Sequence, residues 1–261
     1  MKTTQKLFLF SLMSLFLSVA SDAATIRILS STLAGTINSA DADDDLNTFY
    51  QDAGFSSSIF SGAVTSTELS GVDLFIAMLP DDAFSSSEIT VMSNFLATSG
   101  RILLIGEQHG FAATENGFLN SALASLGSAM SLGSSSIDSG FNNTSAGQIS
   151  SHPLNSGVGL INYGNVNSVS GIPLGGELFL AKDLTTTWGG IESVGGGSVI
   201  LLADSNMISN IEDTAGNDNH QFFLNVVPEP QSTVLIGLAA TCFMLGRRRS
   251  IGKAKTNPTA C

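Results

Sequence analysis

Apolar and polar positions alternate along the middle of the chain in a pattern that predicts buried strands separated by helices. Short continuous apolar runs are typical of strands covered on both faces, and apolar residues at helical spacing fill the segments between them. Ser85 and Glu88 add a capping-box signature at the start of one such segment. The predicted strands are 26–29, 58–60, 72–79, 101–105, 178–180 and 198–203, and the predicted helices are 41–53, 85–98, 116–126 and 219–226.

This alternation predicts one α/β domain over residues 24–226: a three-layer, flavodoxin-like domain with a mostly parallel sheet. Residues 127–170 are rich in Ser, Gly and Asn, and their pattern predicts neither helix nor strand. Ligand sites in such folds lie beyond the carboxyl ends of the strands. Four segments are therefore expected at the functional edge: Ser30-Ser31-Thr32, Pro80-Asp81-Asp82, Glu107-Gln108-His109 and Asp204-Ser205-Asn206.

The N-terminal end has the organisation of a secretory signal helix. Lys2 and Lys6 precede a mostly apolar run from Leu7 to Ala20, and the small residues of Ser21-Asp22-Ala23 follow it. This pattern predicts a signal peptide over residues 1–23 that signal peptidase removes, with cleavage after Ala20 as the near alternative. An uncleaved anchor helix is the other alternative, although the apolar run is short for a membrane span.

The C-terminal end carries a second bracketed apolar segment. Pro228-Glu229-Pro230 precedes an apolar run over residues 233–246, and Arg247-Arg248-Arg249 follows it. The prolines interrupt the preceding fold, and the arginine cluster stays cytoplasmic by the positive-inside rule. The segment therefore predicts a short transmembrane helix over 233–246 that anchors the chain in the inner membrane, with 250–261 as a cytoplasmic tail.

Pro228-Glu229-Pro230, the apolar run and the arginine cluster together resemble the PEP-CTERM sorting signal over residues 227–249. The resemblance implies that an exosortase of a Gram-negative, exopolysaccharide-producing bacterium recognises the chain. It also implies cleavage near the motif and release or transfer to the cell surface. The chain departs from the usual pattern because it continues from Ser250 to Cys261 after the basic cluster.

The net charge of the middle region, residues 24–227, limits the classes of partner that it can bind. Residues 24–227 contain 3 basic and 20 acidic residues, which gives a net charge of −17. Such a surface repels phosphate backbones and anionic lipids, which excludes nucleic-acid binding. Cations and neutral polymers such as polysaccharides remain compatible partners. Both cysteines, Cys242 and Cys261, lie in the tail, so the middle region has no cysteine nucleophile and no thiolate metal site.

A glycine-bracketed motif, Gly106-Glu107-Gln108-His109-Gly110, follows the predicted strand 101–105. Hydrolases and amidotransferases place Ser or Cys at the centre of such a turn, where the strained backbone exposes the nucleophile. The Gln108 amide cannot attack a carbonyl as an alkoxide or thiolate would. Two interpretations stay open: a degenerate elbow that only binds, or an ordinary strand-to-helix loop.

The segment Val199–Asn206, followed by Ser209-Asn210 and by Asn219–Asn225, resembles the closing part of the class I glutamine amidotransferase-like superfamily. It is nearest to the non-catalytic branch, which includes accessory domains of gliding-motility transporters and of intraflagellar-transport proteins. The superfamily's Cys-His-Glu triad does not carry over, because Gln108 takes the cysteine position and no His-x-Glu follows Ala203. The resemblance therefore implies a domain without amidotransferase activity.

Three further sets of residues could have a binding role, and for each set an ordinary structural role is the alternative. Asp41, Asp43 and Asp45 have the spacing of a calcium loop, but they also suit the acidic first turn of a helix. Trp188 could stack on a sugar ring or anchor a loop to the core. His109 and His220 could meet at the strand ends or remain ordinary polar residues.

Two function classes follow from these observations. The first is a non-enzymatic surface or matrix protein that binds a ligand or exopolysaccharide, with no cofactor, metal or catalytic residue. The second is a cysteine-independent hydrolase that uses Glu107, His109 and Asp204. The candidate ligand-binding residues are Glu107, Gln108, His109, Asp204, Ser205 and Asn206.

Overall fold

The computed structural model describes residues 23–33, 42–211 and 215–228, and within them Ala24–Pro228 forms one compact unit. The predicted signal peptide, the apolar run 233–246 and Arg247-Arg248-Arg249 lie outside the described residues, as do Glu229 and Pro230. Among the described helices, none has the length and apolar character needed to cross a membrane.

A seven-stranded sheet passes through the domain and consists of β1 (Thr25–Leu29), β2 (Ser56–Phe60), β3 (Leu74–Met78), β4 (Arg101–Ile105), β9 (Glu177–Leu180), β10 (Thr187–Val194) and β11 (Gly197–Leu202). The order of the strands in the sheet is β2-β1-β3-β4-β11-β10-β9. Neighbouring strands are parallel from β2 to β11, and β10 and β9 continue the sheet with antiparallel pairing. The predicted mostly parallel α/β sheet is therefore confirmed.

Four α-helices accompany the sheet in the described part of the chain: α1 (Ala42–Asp52), α2 (Ser86–Ala97), α3 (His109–Leu126) and α4 (Asn219–Val226). Ser85 and Glu88 close the predicted capping box of α2, which satisfies free backbone N–H groups at its start. Helix α3 begins seven residues before the predicted start at Asn116, with a non-helical residue at Ala112. The glycines and polar residues before Asn116 hide this first turn from a periodicity search.

The centre of the sheet is buried on both faces. Successive strand residues point to opposite faces, and all five residues of β3 are buried, so helices or loops must cover both sides. The apolar runs of the predicted strands predict burial of seven side chains, and all seven are buried in the structure: Leu29, Phe75, Ile76, Leu103, Leu104, Leu201 and Leu202.

Residues 127–170 form two small antiparallel sheets, where the sequence pattern gave no prediction. Strands β5 (Ser131–Ile137) and β8 (Val166–Ser170) pair in one of them, and β6 (Asn142–Asn143) and β7 (Asn162–Tyr163) pair in the other. These strands are short and rich in Ser and Asn, so they lack the apolar alternation that identifies a strand in the sequence.

Strand β10 was also missed, because two glycines interrupt its apolar pattern. A Cβ atom at Gly189 would lie 2.8 Å from the Phe179 ring, and one at Gly190 would lie 2.6 Å from the Ile172 side chain. Neighbouring side chains therefore fill the space that strand side chains normally occupy. The glycines allow this close approach.

Trp188, on β10, is a core residue. Its indole is 0% exposed, stacks on Tyr163 and Phe179 with ring centroids 5.1 Å and 4.7 Å away, and donates to the Leu180 carbonyl. A fully buried indole cannot stack on a sugar ring. The anchoring alternative for Trp188 is therefore correct.

Candidate functional site

The four segments expected at the functional edge follow four adjacent parallel strands. In sheet order, Ser30-Ser31-Thr32 follows β1, Pro80-Asp81-Asp82 follows β3, Glu107-Gln108-His109 follows β4, and Asp204-Ser205-Asn206 follows β11. Because these strands are parallel, their carboxyl ends meet at one edge of the sheet. The segments form two groups with different properties: a closed polar network after β4 and β11, and an open cleft after β1 and β3.

Glu107 is the centre of the closed network. Its side chain is only 3% exposed, and its Oε2 atom accepts hydrogen bonds from the Ser205 hydroxyl at 2.5 Å, the Ser205 backbone N–H at 3.3 Å and the Asn206 amide at 3.1 Å. Its Oε1 atom accepts from the Gln108 backbone N–H at 2.8 Å. Both carboxylate oxygens of Glu107 are therefore already occupied by the protein itself.

Asp204 is completely buried, and both of its carboxylate oxygens also accept hydrogen bonds from within the protein. Its Oδ2 atom accepts from the Gly164 backbone N–H at 2.6 Å, and its Oδ1 atom accepts from the Asn206 backbone at 2.8 Å and side-chain amide at 2.9 Å. The Asn206 amide thus lies between two carboxylates and donates to both. Gly164 is needed here, because a Cβ atom at that position would lie 2.6 Å from the same amide nitrogen.

The two carboxyl groups share an environment that favours their protonated forms. Burial, followed by repulsion from Asp204, raises the pKa of Glu107 to about 7. Burial raises the pKa of Asp204 to about 6. No cation compensates, since the three basic side chains of the described residues bond elsewhere: Arg27 to Glu68, Arg101 to Ser198 and Val226, and Lys182 to Asn142.

Asn116, which the sequence analysis did not single out, fixes the backbone of this network. Its amide donates to the Glu107 carbonyl at 2.7 Å and accepts from the Glu107 N–H at 3.1 Å. Asn116 shares the buried face of α3 with Leu119 and Leu123. A polar residue on an otherwise apolar helical face is the sequence signal that could have identified it.

The backbone at Gln108 does not have the geometry of a nucleophile elbow. Gln108 has φ −52° and ψ 140°, which is an ordinary extended conformation, whereas an elbow holds its central residue in a strained turn. The degenerate-elbow interpretation is therefore wrong, and the motif is a strand-to-helix loop. Gln108 and His109 are half-buried, and the Gln108 side chain accepts a long 3.4 Å hydrogen bond from the Ser136 hydroxyl.

The remaining candidates are dispersed. Within the described residues, the His109 side chain makes no hydrogen bond to Glu107, Asp204 or Ser205, and no group of three or more His, Cys, Asp or Glu could hold a metal ion. Asp43 is buried in the first turn of α1 and accepts from the Ser31 N–H at 2.9 Å, as expected for an acidic helix start. Asp41, the first position of the candidate calcium loop, lies outside the described residues.

An open cleft lies where the strand order reverses, between β1 and β3. It has a volume of 310 Å³, and its lining includes Ser30 after β1, Pro80, Asp81 and Asp82 after β3, and Phe84 and Glu88 near the start of α2. Leu79, at the end of β3, has a positive φ of 45°, and the Ser31 hydroxyl donates to its carbonyl. This conformation turns the chain at Pro80 into the cleft wall.

Comparison with solved structures identifies the fold. The mmIFT52 N-terminal domain superposes with a TM-score of 0.59 at 15% identity, over 78% of this chain and 95% of that domain. Cytoplasmic protein STM3548 from Salmonella typhimurium superposes with a TM-score of 0.55 at 8% identity, over 78% and 97% of the two chains. No protein-family profile and no curated protein matches the sequence.

A cold-adapted beta-galactosidase from Rahnella sp. R3 contains a similar region, with a TM-score of 0.54 and 14% identity. The similarity covers 80% of this chain but only 32% of that enzyme. At these identities the likeness shows the fold alone. The same fold occurs in part of a glycosidase and in the mmIFT52 domain, so the fold does not decide between catalysis and binding.

Proposed function

We propose that this chain is an exported, exosortase-sorted protein of the cell surface or extracellular matrix, whose α/β domain binds a neutral polysaccharide without catalysing a reaction. The domain is assigned to the flavodoxin-like architecture and to the non-catalytic branch of the amidotransferase-like superfamily. The observation that carries the non-catalytic part of the proposal is the closed network: all four carboxylate oxygens of Glu107 and Asp204 accept hydrogen bonds from within the protein.

This network supports a structural role for its members. A general base must reach the proton that it removes from substrate, and Ser205 is 0% exposed while Glu107 is 3% exposed. The network instead joins the ends of β4 and β11 and holds the loop at Gly164 against them. The predicted binding residues Glu107, Asp204, Ser205 and Asn206 thus brace the sheet edge, and a ligand must contact other groups.

The polymer class follows from charge. A domain with a net charge of −17 over residues 24–227 repels acidic polysaccharides, nucleic acids and anionic lipids, and leaves neutral glycans as compatible polymers. The sorting signal that the tail resembles belongs to bacteria that export polysaccharide, which supports the same partner.

A cysteine-independent hydrolase remains the second candidate, and one contact favours it. The Ser205 hydroxyl donates to Glu107 at 2.5 Å, and a carboxyl with a raised pKa can accept a proton from a serine. This machinery would need an opening that exposes Ser205. His109, which the sequence-based hypothesis included, makes no hydrogen bond to the pair.

Sorting is tested by expressing the full chain in a Gram-negative host that has an exosortase and measuring the intact mass of the exported protein. We expect a species that begins near Ala24 and ends close to Pro230. A variant in which Pro228-Glu229-Pro230 is replaced by three alanines is expected to stay in the membrane fraction. Recovery of the chain intact through Cys261 outside the cell would contradict the sorting proposal.

Binding is tested with the processed protein from the same cells. We expect it to co-sediment with the neutral fraction of the host exopolysaccharide and to remain in solution with an acidic polysaccharide such as alginate. The mass of the polysaccharide chains should not change during prolonged incubation. If the mass falls with the unaltered protein but not with a Ser205→Ala variant, the result would favour the hydrolase instead.

A further inference from the structure

The cleft between β1 and β3 is an open site at the functional edge that the predicted binding residues do not occupy. It lies at the point where the sheet order reverses, with β2 on one side of β1 and β3 on the other. In open α/β sheets the loops diverge at this point, and ligands bind in the crevice between them. The volume of 310 Å³ suits a small ligand.

The lining of the cleft excludes several ligand classes. It contains three carboxylates, those of Asp81, Asp82 and Glu88, and neither lysine nor arginine, so phosphates, nucleotides and uronic acids are repelled. A metal ion is also disfavoured. Asp81 already accepts from the Thr32 backbone at 2.8 Å and from its hydroxyl at 3.0 Å, and Glu88 accepts from the backbone of Val64 at 2.9 Å and of Ser85 at 2.8 Å.

Two groups in the cleft remain available to a ligand, and an aromatic ring lies beside them. Asp82 is exposed, and its carboxylate accepts no hydrogen bond from any described residue; the Ser30 hydroxyl is likewise unbonded within the described part of the chain. Phe84 packs against the core and also lines the cleft. The site therefore offers free acceptors, a hydroxyl and an apolar ring face.

Hydrogen bonds within the protein hold the walls of the cleft in place without a ligand. The backbone N–H of Thr32, after β1, donates to the Asp81 carboxylate. The backbone N–H of Val64, after β2, donates to the carboxylate of Glu88 on α2. These bonds join the segments after β1, β2 and β3, which form the three walls of the cleft. A preorganised site loses little conformational entropy on binding.

We infer that this cleft binds a single neutral sugar unit of the polysaccharide, with Phe84 against the apolar face of the ring and Asp82 accepting its hydroxyl groups. The inference rests on the proposed binding function and adds its location and ligand class. Sugar rings combine hydroxyl donors with an apolar C–H face, which is the combination that the cleft complements. Asp81 and Glu88 position the walls rather than contact the ligand.

The test is saturation-transfer NMR on the processed protein with a mixture of glucose, galactose and mannose, with glucosamine and glucuronate as charged probes. We expect transfer to at least one neutral hexose, with a Kd on the order of 1 mM or weaker for so small a ligand. Asp82→Asn should weaken this affinity about tenfold, because it removes a charged acceptor. Phe84→Ala should weaken it by roughly fivefold.

Two matched variants complete the test. Asp52→Asn removes an exposed carboxylate at the far end of α1, and Phe141→Ala removes an exposed aromatic ring outside the cleft lining. Both are expected to bind like the unaltered protein.

Hexose transfer with unchanged affinity in both Asp82→Asn and Phe84→Ala would overturn the site and leave polysaccharide binding intact. Transfer to glucosamine alone, or to no sugar while the polymer still co-sediments, would also overturn the site. If neither hexose nor polymer binds, the proposed function fails with it.

Discussion

The carboxylate of Glu107, at the end of β4, accepts a 2.5 Å hydrogen bond from the hydroxyl of Ser205, which follows β11 and lies 98 positions later in the chain. This contact joins the ends of two adjacent parallel strands. It also places the carboxylate of the Glu107 motif in a buried network rather than at an open turn. Gly106 and the Glu107 carboxylate belong to this buried network, and each part of the network can be tested separately.

Removing the central carboxylate should destabilise the fold. In a Glu107→Ala variant, the buried donors of Ser205 and Asn206 lose their acceptor, and we expect a loss of about 2–5 kcal/mol in the free energy of unfolding. Urea unfolding followed by the fluorescence of Trp188, the sole and fully buried tryptophan, measures it. Asp52→Ala, at an exposed position, should change the value by less than about 0.5 kcal/mol. A loss below about 1 kcal/mol for Glu107→Ala would show that the network is dispensable.

Stability should rise as the pH falls from about 8 to about 5. The pKa values of Glu107 and Asp204 are raised in the folded protein, to about 7 and about 6, so the folded state binds protons more tightly than the unfolded chain does. The stability contributed by this proton uptake is complete below the unfolded pKa values and is lost as the pH rises through the folded ones.

Urea midpoints at pH 5, 6, 7 and 8 measure this dependence. The Glu107→Gln variant removes one carboxyl group and its repulsion from Asp204, so its profile should be flatter. An equally steep profile in Glu107→Gln would mean that other groups cause the dependence.

The two glycines of the motif should respond differently to alanine. A Cβ atom at Gly106 would lie 2.5 Å from Leu132 and 2.6 Å from the Asn116 oxygen, so Gly106→Ala must displace the residue that holds the Glu107 backbone. We expect a cost of about 1–3 kcal/mol. A Cβ atom at Gly110 would meet no described residue within 4 Å apart from the adjoining helix backbone, so Gly110→Ala should be neutral or stabilise by up to about 1 kcal/mol. Equal effects in chemical denaturation would refute this packing difference.

The loop should have no glutaminase or esterase activity. Gln108 has neither a nucleophilic side chain nor an elbow conformation, and His109 is not bonded to the buried carboxylates. Assays of the processed protein with amide and ester substrates are expected to give the uncatalysed rate, unchanged in Gln108→Ala and His109→Ala. Turnover that either substitution abolishes would establish a catalytic loop.

The amino-acid sequence alone determined the frame of this protein. Apolar runs identify the four central parallel strands, because strands covered on both faces bury most of their side chains. The capping box at Ser85 and Glu88 locates the start of α2 within a residue. The same pattern directs attention to the four strand ends, including the two that form the cleft. The sorting signals at both ends also belong to the sequence, and they remain predictions.

Only the tertiary structure decided which strand-end side chains are buried in hydrogen bonds within the protein and which are exposed to a ligand. Glu107 and Asp82 both follow apolar strands, yet one is buried beneath Ser205 and Asn206 and the other is exposed. Strand β10 was equally hidden, because the side chains of Phe179 and Ile172 fill the space at Gly189 and Gly190. The small sheets of residues 127–170 were hidden because their strands are rich in Ser and Asn. Periodicity records which face of an element is apolar. Burial of a polar group depends on partners distant in the chain, which local pattern does not encode.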